Sequence, residues 1–118
     1  MKKDILLTAG ILYSTKPDAY YRTKDGRAFF AFSYQYEMDY YDIIIHDEPS
    51  FGTRDDSSHI AHWLPSDLSP INKKVCFHEG KEPKTLKEAE NISVQYAELL
   101  FTYIKTGISI DDQLIQRN

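Results

Sequence analysis

The sequence predicts an α+β fold: an antiparallel meander of about four to six strands packed on one long C-terminal helix at about 86–106. Three observations carry that prediction. Residues 28–38 alternate apolar and polar side chains with period two, residues 40–46 repeat the alternation in a compatible register, and residues 86–106 hold an apolar stripe at helical spacing. At 118 residues the chain has the length of one ordinary domain. No linker, repeat or low-complexity segment divides it, so 1–118 reads as a single domain.

From the N-terminus, Met1-Lys2-Lys3-Asp4 followed by an apolar stretch has the outline of a short signal sequence. Asp4 stands where positive charge belongs and no small-residue cleavage site follows Tyr13, so the stretch reads as part of the fold. Ile5 to Tyr13 fits a strand or a short helix, with Gly10 interrupting either. Ala19–Thr23 reads as a strand joined by the Asp25-Gly26 turn to the next, which places Tyr21 opposite Phe30. In the main strand Ala28, Phe30, Phe32, Tyr34, Tyr36 and Met38 share the buried face, while Ser33, Gln35 and Glu37 face water. A tight turn at Met38-Asp39 pairs Tyr36 with Tyr41, Tyr34 with Ile43 and Phe32 with Ile45. Turn and hydrophobic pattern thus demand the same register.

Glu48 to Ser58 has the Pro, Gly, Asp and Ser content of a loop. His59–Leu64 and Lys74–Phe77 read as short strands around a Pro- and Ser-rich stretch. Thr85-Leu86-Lys87-Glu88 forms a capping box, with Glu88 expected to reach back to the Thr85 amide. The helix stripe is Leu86, Ala89, Ile92, Tyr96, Leu99, Leu100, Tyr103 and Ile104, and Gly107 ends the helix in a left-handed cap. Ser109 to Gln116 adds a short turn or helix.

A net charge of −4 argues against a nonspecific nucleic-acid binder, since Lys73-Lys74 and Lys81 to Lys87 are interrupted by Glu79, Glu82 and Glu88. No apolar run has the length of a membrane-spanning helix. The single cysteine cannot close an intrachain disulfide, which suits a reducing, cytoplasmic setting. No cofactor motif is present.

Three of the four histidines, the only cysteine and the only tryptophan fall within residues 59–78. His59, His62, Cys76 and His78 are candidate zinc ligands, but their spacing matches no established ligand pair, and on a strand His59 and His62 point to opposite faces. Cys76 is a candidate nucleophile, with His62 or His78 as base; Val75-Cys76-Phe77 reads equally as a buried strand holding an inert thiol. The carboxylates around Glu37, Asp39 and Asp42 read as solvated turn residues. The outer sheet face, with Phe29, Tyr40, Asp42, Ile44 and His46, reads as an interaction surface, or as a face covered by the N-terminal segment or the 48–58 loop.

A meander, then His62-Trp63-Leu64-Pro65 in an irregular stretch, then Cys76 and a helix, resembles the core of bacterial relatives of ubiquitin-conjugating (E2) enzymes over about Ala28 to Thr106. The resemblance implies a cysteine-dependent transferase with Cys76 as nucleophile and His62 or His78 as base or orienter. The sequence departs from that family in lacking its His-Pro-Asn triplet and in the long interval between His62 and Cys76. The expectation taken forward is a non-enzymatic interaction or accessory protein, bacterial and cytoplasmic, with a protein partner or a second copy of itself. The E2-like transferase is the alternative.

Overall fold

The computed structural model describes residues 7–66, 72–77 and 80–116. Its strands are β1 (Tyr13–Ser14), β2 (Asp18–Arg22), β3 (Phe29–Glu37), β4 (Tyr40–Asp47), β5 (Trp63–Pro65) and β6 (Lys73–Val75). Its helices are α1 (Ser58–Ala61), α2 (Leu86–Thr106) and α3 (Ile110–Gln116). All strand pairs are antiparallel and the six strands run in the order β1-β2-β3-β4-β6-β5, so a meander is extended at its far edge by the β5–β6 pair.

The register is the one that alternation dictates. Tyr21 pairs with Phe30, and Tyr36, Tyr34 and Phe32 pair with Tyr41, Ile43 and Ile45. A bulge between Ala31 and Phe32 shifts Ala31 onto Asp47. The β2–β3 connection is wider than a two-residue turn. The ladder ends at Arg22 and Phe29, and beyond it the Gly26 amide closes on the Thr23 carbonyl at 2.8 Å. Residues 7–12 form neither the strand nor the helix expected of Ile5–Tyr13, and only Tyr13–Ser14 joins the sheet.

The inner face carries Tyr21, Phe30, Phe32, Tyr34, Ile43 and Ile45 against α2. The helix is rotated relative to its apolar stripe. Ala89, Ser93, Ala97 and Leu100 are fully buried, whereas Ile92 and Ile104 are half-buried. Three small residues spaced four apart let the helix backbone approach the sheet closely. Ser93 is tolerated there because its hydroxyl donates to the Ala89 carbonyl (2.9 Å) and accepts from Tyr34 (3.0 Å). The rotation frees the flank Ile92–Tyr96–Leu99 for another neighbour.

The Thr85 hydroxyl caps the Glu88 amide at 3.1 Å, but the Glu88 carboxylate accepts from the Lys84 amide (2.7 Å) instead of from Thr85. Gly107 ends α2 at φ +80°. The guanidinium of Arg54 donates to the Ile104 and Lys105 carbonyls (3.1 and 3.3 Å), satisfying acceptors that the last helical turn leaves open. The 48–58 loop is fastened further by Tyr103 donating to the Asp55 carbonyl and Trp63 to that of Asp56, at 2.8 and 2.9 Å. Among the described residues no helix is long and apolar enough to cross a membrane.

Candidate functional site

The rotation of α2 and the short β5–β6 pair together open a cleft of about 220 Å³. Ile92, Tyr96 and Leu99 line it from one flank of α2, Ile110 and Leu114 from α3, and Val75 from the end of β6. Spacings of four and three on α2, and of four on α3, are those that stack side chains on one face. His62, Cys76 and Phe77 add to the wall, and Lys81 and Gln95 stand at it as polar members.

Each piece has a local cause. The Gly107 cap turns the chain, and Ser109 opens α3 by accepting from the Asp112 amide at 3.0 Å. The buried amide of Gln113 donates to the Leu99 and Ile108 carbonyls (3.0 and 2.9 Å), fastening α3 along α2. On the opposite side His62 ends α1 in the left-handed region, at φ +58°, with its amide on the Ser58 carbonyl. The strand expected over His59–Leu64 is therefore a helical turn followed by three strand residues. Local i→i+4 hydrogen bonding wins where only four residues are available. The Tyr96 hydroxyl donates to the Ala61 carbonyl at 2.9 Å and holds that turn above the middle of α2. Burial, with the Glu48 carboxylate nearby, pushes the Tyr96 phenol well above its ordinary value.

The strand expected over Lys74–Phe77 ends at Val75, and Cys76, just beyond it, is half-buried. Its amide donates to the His62 carbonyl at 2.9 Å, continuing the register in which Trp63 faces Val75. Cys76 Sγ donates to the Phe77 carbonyl at 3.9 Å. His62 Nε2 lies 2.9 Å from Asp111 Oδ1 on α3, a pairing that sequence spacing gave no reason to expect. His59 is exposed on α1 and does not line the cleft, and His78 lies outside the described residues. Among the described residues no three His, Cys, Asp or Glu side chains are grouped to hold a metal ion.

The interaction face expected on the outer sheet is largely taken up by the chain itself. Asp42 and Ile44 are 6% and 2% exposed, and Asp42 pairs with Lys74 at 3.5 Å. Leu7 packs on Tyr20 and Ala31 with Phe29 against them, so the N-terminal segment covers part of this face. His46 is exposed and meets Ser33 at 2.6 Å, and Tyr40 is half-buried. Of the five residues expected on that surface, Asp42 and Ile44 are buried, Phe29 and Tyr40 are half-buried and His46 is exposed. Lys73, the other half of the basic pair, bonds Glu48 at 2.7 Å and stands over the rings of Trp63 and Phe51, 4.7 and 5.4 Å from their centroids.

A volume of about 220 Å³ is smaller than the ~300–1,000 Å³ of pockets that enclose small-molecule ligands. The cleft suits one large apolar side chain better than a cofactor. Comparison with protein-family profiles, curated proteins and solved structures found no match to this chain.

Proposed function

We propose that this protein is a non-enzymatic interaction or accessory domain whose cleft receives an apolar side chain presented by a protein partner. The observation that carries this reading is the apolar cleft itself, held open by the Tyr96–Ala61 and Gln113–Leu99 hydrogen bonds. A preformed, side-chain-sized hole walled by aliphatic and aromatic groups is how interfaces anchor a hot-spot residue. A reducing compartment such as the bacterial cytoplasm suits a chain whose only cysteine is a half-exposed thiol.

The test is selection of displayed random peptides on the whole protein. Selected peptides are expected to share one large apolar residue and to lose at least about tenfold in affinity for a Leu114→Trp variant, a loss of about 1.4 kcal/mol. Circular dichroism checks that the variant keeps its fold. Peptides that bind wild type and variant alike contradict the reading.

One observation favours a second reading, the cysteine-dependent transferase. His62 and Cys76 are neighbours across the β5–β6 register, and Asp111 sits on the imidazole as an orienting carboxylate would. The two readings separate in the pH profile of Cys76 alkylation. A transferase needs the profile displaced to low pH in wild type and restored by His62→Gln, whereas the interaction reading expects one profile for both proteins.

A further inference from the structure

Met38 occupies a costly position. It is the first residue of the two-residue loop between Glu37 and Tyr40, its φ is +54°, and it is 94% exposed. Positive φ at such a turn is the province of glycine and asparagine, and a large apolar side chain held in water adds no stability to the fold. Beside it stand Tyr36, 54% exposed, and Tyr41, whose ring meets that of Tyr36 edge to face at 4.9 Å between centroids. The β3–β4 tip therefore presents an exposed knob of Met38, Tyr36 and Tyr41, and backbone strain under an exposed side chain points to a use outside the chain's own core.

The same end of the molecule carries the hole. The Tyr41 amide donates to the Pro83 carbonyl at 2.9 Å and Lys84 Nζ approaches Asp39 at 3.9 Å, so the segment 80–84 runs beside the tip. Lys81 of that segment lines the cleft. Knob and cleft also complement each other in charge: the tip carries Glu37 and the exposed Asp39, which its own Lys84 meets only at 3.9 Å, while the cleft offers Lys81.

We propose that the occupant of the cleft is the Met38 side chain of a second copy of this chain, in a reciprocal two-fold pair. Placing knob and hole side by side lets both contacts form at once and close, where a one-way contact would propagate. Asp39 and Glu37 of each tip then meet Lys81 of the other copy. This proposal rests on the cleft reading and names its partner.

Sedimentation velocity over a concentration series, with the Cys76 alkylation rate measured on the same samples, tests it. The expected result is a dimer that grows with concentration while alkylation slows about fivefold by mass action. Met38→Gly relaxes the turn, so it is expected to keep or raise the melting temperature, to stay monomeric and to alkylate at the dilute rate throughout. Met38→Asn, which also tolerates positive φ, is expected to behave in the same way. A strict monomer, a dimer that survives both substitutions, or a dimer whose Cys76 reacts at the monomer rate overturns the proposal. A monomer whose Cys76 is still protected by selected peptides overturns the second copy alone and leaves the cleft reading standing.

Discussion

The Tyr96 hydroxyl donates to the Ala61 carbonyl at 2.9 Å, joining the middle of the long helix to the last residue of a four-residue helical turn. Ala61 is fully buried, and this bond acts with the Cys76 amide on the His62 carbonyl and with the His62–Asp111 pair to set the height of His62 above the helix. The cleft exists because that height is fixed.

Tyr96→Phe leaves the Ala61 carbonyl buried without its donor, at a cost of about 1–3 kcal/mol. Urea denaturation should show the lower midpoint with an unchanged slope. Because the turn loses its tether, Cys76 should also become easier to alkylate in the native protein.

Arg54 and Gly107 form a coupled cap. A methyl group on Gly107 would sit 2.9 Å from Arg54 Nη1 and would have to adopt φ +80°. Gly107→Ala should cost about 1–2 kcal/mol through its backbone conformation alone, and more while the guanidinium is in place. Arg54→Ala should cost about 1 kcal/mol by uncapping two carbonyls. The double variant should lose less than the two single losses combined, because the clash disappears with the arginine. A double-mutant cycle in urea checks the sign of that coupling.

Asp25 sets an acid dependence. The Lys105 ammonium at 2.7 Å is foremost, with the Arg27 amide and the Thr23 hydroxyl, in holding the carboxyl down at about 2. A folded-state value below the unfolded one stabilises the protein above pH ~4 and loses that contribution as pH falls through about 2. The pair is solvent-accessible, so screening keeps its worth modest. Carboxyl-carbon NMR should place the Asp25 midpoint near 2, and Lys105→Ala should move it up toward the ordinary value.

Buried phenols set the alkaline dependence. Burial raises Tyr34 to about 12 and pushes Tyr21 and Tyr96 above their ordinary value, with Glu98 adding to the rise at Tyr21. Raised folded-state values stabilise the protein below pH ~10 and lose that contribution as pH rises through about 12. Ultraviolet titration of the nine tyrosines checks this. Tyr21, Tyr34 and Tyr96 should ionise only in a cooperative step that coincides with loss of circular dichroism.

The meander and the long helix were legible because two independent constraints agreed in each. Alternation and turn length both fixed Tyr34 on Ile43, and the capping threonine and Gly107 both bounded α2. The rotation of α2 was not legible. Ser93 and Ala97 lie outside the apolar stripe, and only the close approach of the sheet gives their small size value. Four residues are too few to show a period, so the helical turn Ser58–Ala61 was divided between the expected loop ending at Ser58 and the expected strand His59–Leu64. The strand expected over Lys74–Phe77 was legible but displaced: β6 covers Lys73–Val75, its two lysines being drawn into the sheet by Glu48 and Asp42. The cleft was invisible for a related reason: its walls come from segments spread over residues 62–114 and meet only in the folded chain. His62 and Cys76 stood out by residue type, but Asp111 had no sequence signal.

The most direct measurement is the native alkylation rate of Cys76 with a small reagent, with and without a saturating selected peptide. Cys76 lies in the cleft wall, so an apolar side chain seated there should shield the sulfur and slow the reaction by about tenfold, with Leu114→Trp showing no dependence on peptide. Equal rates with and without bound peptide in the wild-type protein would contradict the assignment of the cleft as the docking site.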